Sequence, residues 1–185
     1  MSKIIKDIAG APIPTPVVLL TTVGADGKAN IITLAWVGVA CSEPLILSVG
    51  IRPPRHSHAL LQESGEAVVN VPTAELLRQV DQCGMVSGRD TDKFAACGLT
   101  AVAADLVKPP LIAECPVNLE TKVKSASSLG THDLFLLEVV RTHVDVSLLD
   151  DSGRFAPGQA NFFSYMGTSY LAHAGVIGQY GYTKK

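Results

Sequence analysis

Residues 28–58 read KANIITLAWVGVACSEPLILSVGIRPPRHSH, and this stretch decides the fold. Lys28–Trp36 and Pro44–Ile51 are apolar, β-branched runs with strand composition, and Pro44 is tolerated because it stands at a strand's first position. Each run carries small hydrogen-bonding or basic residues. Asn30 and Thr33 precede Trp36 in the first, and Arg52, Arg55, His56, Ser57 and His58 follow the second. An apolar floor rimmed by hydroxyl and cationic groups suits a ligand that is flat at one end and anionic at the other.

Working outward, Val17–Val23 is a further strand. Asp26-Gly27 joins it to Lys28–Trp36 as a hairpin signal of the type I′ kind. On the other side the period changes at Arg55, and Arg55–Ser64 reads as a short helix closed by Gly65. Ala67–Val71 is a strand. Thr73 can cap a helix from Ala74 to about Cys83, with Leu76, Leu77 and Val80 on one face. Gly84–Phe94 is a polar loop ending in SGRDTDKF, Val117–Val123 and Leu134–Val146 are long strand candidates, Asp150–Gly158 is a loop, and the tail from Asn161 is aromatic and glycine-rich. Short strands, hairpins and small helices imply a mainly β (α+β) fold, a closed β-barrel with short helical insertions. Strands do not alternate with long helices, which argues against a doubly wound sheet.

The 185 residues suggest one domain. A 47% hydrophobic and 17% charged composition is apolar enough to expect another subunit over part of the surface. The net charge of −2, without a basic run, gives no electrostatic support to a nucleic-acid partner. Cys41, Cys83, Cys97 and Cys115 form no CxxC, so reduced thiols in a cytoplasmic protein are expected rather than a disulfide scaffold or zinc knuckle. Asp7 interrupts any secretory signal pattern, and Pro12, Pro14 and Pro16 break the longest uncharged run, so no membrane span is expected.

No GxGxxG follows a strand, and GADGK lacks P-loop spacing. Three readings of His56-Ser57-His58 stand side by side: exposed polar residues at a helix start, an anion site with Arg52 and Arg55, or a metal site. The metal reading rests on the spacing of Gly50, His56, His58 and Glu63, which is similar to the first cupin motif. It is weakened by Asn70 where that motif has glycine, and by the helical pattern of ALLQESG.

The ordered pieces PVVLLTTVGADGKANIITLAW, SEPLILSVGIRPPRHSH, AVVNVP, CGMVSGRDTDKF and LGTHDLFLLEV resemble the flavin reductase-like, FMN-binding split-barrel family, flavoredoxin type, over roughly residues 12 to 146. The resemblance implies a homodimeric split barrel holding FMN without covalent attachment, with the tail 161–185 packing at the dimer or the site. It implies that Asn30, Thr33, Ala35 and Trp36 line the ribityl phosphate and ring edge. Ser48, Ile51, Arg52, Ser57 and His58 would hold the phosphate and pyrimidine side, and Ser87, Arg89 and Lys93 would approach the cofactor or its phosphate. His132 would sit near the isoalloxazine and the nicotinamide as the catalytic candidate. No metal is expected. The implied activity is hydride transfer from NADH or NADPH to FMN, with electrons passing on to flavin, iron, a redox partner or a monooxygenase; an FMN electron carrier without nicotinamide turnover is the alternative. The sequence departs from the family pattern at Thr121, where relatives often carry cysteine, at Leu137 for a frequent glycine, and at Ala67 for an aromatic.

Overall fold

A computed structural model describes residues 2–8 and 10–183. In chain order the elements are β1 (Thr15–Pro16), β2 (Val18–Val23), β3 (Ala29–Leu34), β4 (Val37–Ser42), β5 (Leu45–Ile51), α1 (His56–Ser64), β6 (Glu66–Val71), α2 (Leu77–Met85), α3 (Lys93–Cys97), β7 (Ala101–Val102), β8 (Leu111–Ile112), β9 (Val117–Ser128), β10 (Asp133–Val144), β11 (Phe163–Met166) and β12 (Ser169–Ala172). Seven strands form one antiparallel sheet in the order β3-β2-β6-β9-β10-β5-β4. β1, β11 and β12 form a smaller sheet, and β7 pairs with β8.

The large sheet coils. Ile32 and Leu34 of β3 share one buried cluster with Leu47, Val49 and Ile51 of β5, although these strands lie near opposite ends of the strand order. Phe135 and Leu137 of β10 and Leu61 of α1 complete that interior. No ladder joins β3 to β4 among the described residues, so the barrel is split rather than closed as the strand pattern alone suggested. Side-chain alternation sends Leu19 and Ile31 to the opposite face. There they pack with Val80 and Cys83 of α2, which fixes α2 against β3, and Thr33 Oγ1 donates to the Val80 carbonyl.

Several local details differ from expectation. The β2–β3 turn is not type I′: within it Gly27 alone has positive φ (77°), and no non-glycine residue does among the described residues. Gly27 N–H donates to the Gly24 carbonyl and Gly24 N–H to the Lys28 carbonyl, the pattern of a three-residue loop with glycine at the left-handed position. β4 was not expected; it is an edge strand whose residues are half-buried or exposed and none buried, so it lacks apolar alternation. Thr73 makes no side-chain cap, and a short 3₁₀ turn over Ala74–Leu76 precedes α2. α1 and its Gly65 terminus (φ 67°) match the reading, because only a left-handed residue lets the Gly65 N–H reach back to the Leu61 carbonyl.

Candidate functional site

Two adjoining cavities, of about 200 Å³ and about 160 Å³, share Ile32, Arg55 and Gly84 in their walls. They lie where β3, the end of β5, the start of α1 and the C-terminal end of α2 converge. No carboxylate lines either one among the described residues.

The larger cavity has an apolar floor of Ile32, Leu34, Ala35 and Ile51, with Trp36, His132, Tyr165 and Tyr170 around it. Gly50 makes this possible. A Cβ there would lie 3.1 Å from the Trp36 Cβ, so glycine lets Trp36 settle against β5, and Gly50 N–H donates to the Trp36 carbonyl at 2.8 Å. The ladder pairs Asp133 with Ile51, which delivers His132 to the same rim. The Trp36 and His132 rings stack at 5.8 Å between centroids and 6° between planes, and Tyr165 packs obliquely on Trp36. Burial, with Arg52 adding to it, lowers the His132 pKa below the ordinary histidine value. The imidazole is therefore neutral at neutral pH and works as a hydrogen-bonding group.

The smaller cavity is polar and cationic, bounded by Asn30, Arg55, His56, Ser57, Ser87, Arg89 and Lys93. Asn30 Nδ2 donates to Ser57 Oγ at 2.6 Å, and both residues are buried. Lys93 is 5% exposed; its Nζ donates to the Ile31 and Cys83 carbonyls at 2.7 Å each, which leaves one ammonium proton uncommitted. Burial is the main cause lowering the Lys93 pKa, and it likewise lowers that of His56, with Arg89 and Lys93 adding to the effect there. An anion placed among these groups would favour their charged forms. Ser87 Oγ accepts from the Arg89 N–H, and Arg89 donates to the Pro54 carbonyl at 3.2 Å, folding the loop after α2 across the start of α1.

The structure thus brings Asn30, Thr33, Ala35, Trp36, Ile51, Arg52, Ser57, Ser87, Arg89, Lys93 and His132 to one continuous cleft. Two expected residues lie elsewhere. Ser48 is three positions from Ile51 and therefore on the other strand face, where its hydroxyl donates to the Gly38 carbonyl at 3.2 Å. His58 follows Ser57 on a helix and turns inward; its Nε2 meets Asp133 Oδ2 at 2.8 Å and its ring sits edge-on to Phe135. It ties α1 to the start of β10, beside His132. The metal spacing of His56 and His58 dissolves for the same reason: the two rings diverge from one helix. Gly84, Gly88, Tyr165 and Tyr170 were absent from the expected set, and Arg55 was expected only in the anion-site reading of the α1 start. Arg55 was visible as a basic residue at a helix start, whereas no local pattern marks the tyrosines of β11 and β12.

Another set of ligand-type side chains, Asp105, Glu120 and His143, lies apart from the cleft. Its groups are already engaged. Buried Glu120 accepts from the N–H groups of Asp105, Leu106 and Val107 and contacts His143 Nε2 at 2.6 Å, while Asp105 pairs with Arg141. Burial tends to raise the Glu120 pKa, but the His143 contact and the backbone donors outweigh it and leave it lowered.

Residues 10–159 match the family described as flavin reductase like domain. An uncharacterized protein of Archaeoglobus fulgidus is 41% identical over 119 residues, 64% of this chain and 67% of its own. Flavoredoxin of Desulfovibrio vulgaris (Miyazaki F) is 28% identical with a TM-score of 0.92, covering 100% of both chains. Flavoredoxin from Methanosarcina acetivorans is 28% identical with a TM-score of 0.88, covering 100% of this chain and 98% of its own. The chain belongs to the flavin reductase-like family.

Proposed function

We propose that this flavin reductase-like chain binds FMN in the continuous cleft and uses it to move electrons from NADH or NADPH to a second acceptor. One observation supports this above all: a carboxylate-free, cationic cavity opens into an apolar, aromatic one, and a buried amide oxygen at the cationic end, Asn30 Oδ1, has no hydrogen-bond partner. Turning that amide over keeps the Ser57 contact, with Ser57 donating, and presents two N–H donors to the cavity. The residues therefore fit a flat ring carrying a phosphate.

In this reading Asn30, Arg55, Ser57, Arg89 and Lys93 hold the phosphate, and Ser87 shapes their loop. Ile32, Leu34, Ala35 and Ile51 form the ring floor, with Trp36, Tyr165 and Tyr170 excluding water. Arg52 stands at the ring rim, where its charge favours an electron-rich ring edge. His132 is the catalytic residue in the sense of touching cofactor and nicotinamide; it orients by hydrogen bonding and stacking. FMN, when bound, supplies hydride acceptance and onward electron transfer; the chain supplies binding, orientation and electrostatics.

A nicotinamide-independent electron carrier is the second reading. The parallel Trp36–His132 stack favours it, because that stack covers aromatic surface a nicotinamide would use. The protein is read as one domain acting as a homodimer, consistent with exposed Val39, Leu129 and Phe155, and as cytoplasmic, consistent with four free cysteines. No described helix is long and apolar enough to cross a membrane.

The test is the visible spectrum of the purified protein followed by nicotinamide turnover. Flavin absorbance with oxidation of NADH or NADPH supports the reductase. Absorbance without turnover leaves the carrier, and a protein that retains no FMN refutes both.

A further inference from the structure

We propose that Cys83 and Cys97 form a reversible dithiol–disulfide pair that couples oxidation to the shape of the cationic cavity. Their Sγ atoms lie 3.6 Å apart, in van der Waals contact, although the residues stand on different helices. Bond formation would draw the sulfurs together by about 1.5 Å. Cys83 is fully buried on α2, and Cys97 is half-buried as the last residue of α3. The other two cysteines, Cys41 and Cys115, take no part in this contact.

The chemistry orders the steps. Burial, together with the contact to Cys97, pushes the Cys83 thiol up to about 12, so the half-buried partner is oxidised first. With hydrogen peroxide as two-electron oxidant, the Cys97 sulfur displaces water from the peroxide and becomes a sulfenic acid. The Cys83 sulfur then attacks that sulfur, forms the S–S bond and releases a second water. Two thiols lose two hydrogens in all, and both peroxide oxygens leave as water. A small dithiol reverses the change by exchange.

The coupling is carried by Lys93. It opens α3, whose last residue is Cys97, and its ammonium holds the Cys83 carbonyl on α2 and the Ile31 carbonyl on β3. Cys83 itself lines the cationic cavity; Cys97 does not. Pulling α3 toward α2 therefore displaces the one buried ammonium of the anion cavity.

The affinity readout rests on FMN as the ligand of that cavity; the covalent readout does not. Purified protein is treated with hydrogen peroxide and examined by intact mass, thiol titration and peptide mapping. The expected result is a loss of two hydrogens, a fall in free thiols from four to two, and a fragment joining the Cys83 and Cys97 peptides. FMN affinity falls by about tenfold, toward the low end of couplings between sites, and recovers with dithiothreitol. Cys97→Ser binds FMN like the parent and loses the peroxide response. Oxygen addition at Cys97 without a cross-link overturns the pairing. A cross-link with unchanged FMN affinity overturns the coupling. If the reduced protein binds no FMN, the cofactor reading fails, and the cross-link alone decides the pairing.

Discussion

Gly88→Ala isolates the anion cavity. A Cβ built on Gly88 lies 1.8 Å from Asn30 Oδ1 and 2.7 Å from its Cγ. Gly88 does not need a left-handed backbone, so alanine is allowed there and the effect is one of space alone. Asn30 or the loop that carries Gly88 has to move by more than an ångström, and movement of Asn30 breaks its 2.6 Å bond to Ser57. Overpacking costs about 1–3 kcal/mol, and the lost hydrogen bond about 0.5–1.5 kcal/mol. The half-buried loop after α2 can yield outward, so most of this cost falls on the ligand rather than on folding. FMN affinity is expected to drop by roughly 30- to 1000-fold, the equivalent of about 2–4 kcal/mol. Flavin-fluorescence quenching gives the dissociation constant, and thermal unfolding checks that the fold is kept. Two controls sharpen the result. Gly84→Ala sets its Cβ against the Thr33 side chain, 3.4 Å from the nearest atom and at the edge of ordinary contact, and is expected to be neutral or slightly stabilising toward thermal unfolding. In an Asn30→Ala background the Gly88→Ala penalty largely disappears, because its obstacle is gone. Parent-like affinity in Gly88→Ala, or an undiminished penalty in the Asn30→Ala background, refutes the reasoning.

Neighbours on α1 should separate by function. Ser57→Ala is expected to weaken FMN binding by ~1–3 kcal/mol with little change in melting temperature. His58→Ala is expected to do the reverse, costing ~1–3 kcal/mol of stability with FMN affinity held within about threefold, since its partner is Asp133. His132→Ala should lower nicotinamide turnover by about 10- to 100-fold with a smaller loss of FMN affinity, as steady-state kinetics and flavin titration would show. Glu120→Gln should destabilise the fold by about 3 kcal/mol at neutral pH, because the amide replaces one carboxylate oxygen that accepts buried hydrogen bonds with a donor. Because the Glu120 pKa is lowered on folding, its contribution is full above the ordinary glutamate value and is lost as pH falls through the depressed one. Urea unfolding against pH should therefore show a flatter acid limb in the variant.

What was legible in the chain was what local chemistry determines. The Asp26-Gly27 hairpin, the Gly65 helix stop and the strands rich in valine and isoleucine each follow from neighbours in sequence. The turn type was missed because two φ-positive residues and one φ-positive glycine leave the same dipeptide trace. β4 was missed because an edge strand is held by its ladder to β5 rather than by buried alternation. β9 extends to Ser128 through exposed, polar residues that only pairing with β10 makes extended. The site divided along the same line. Asn30, Ser57, Arg89 and Lys93, named through the motifs and the resemblance they carry, line the cleft, whereas a strand parity and a helical turn of about 100° per residue take Ser48 and His58 off it. Tyr165 and Tyr170 reach the cleft through β11, paired with β1 across 150 positions of chain, a separation no local pattern crosses.

The most direct test of the central claim, that the cationic cavity takes a flavin's phosphate, compares FMN with riboflavin on the same protein by equilibrium titration. Riboflavin keeps the ring and ribityl chain and lacks only the phosphate. The expected result is FMN binding about 100-fold tighter or more, the equivalent of at least two charged hydrogen bonds, with the advantage shrinking as salt rises. Equal affinities for the two flavins would contradict the account.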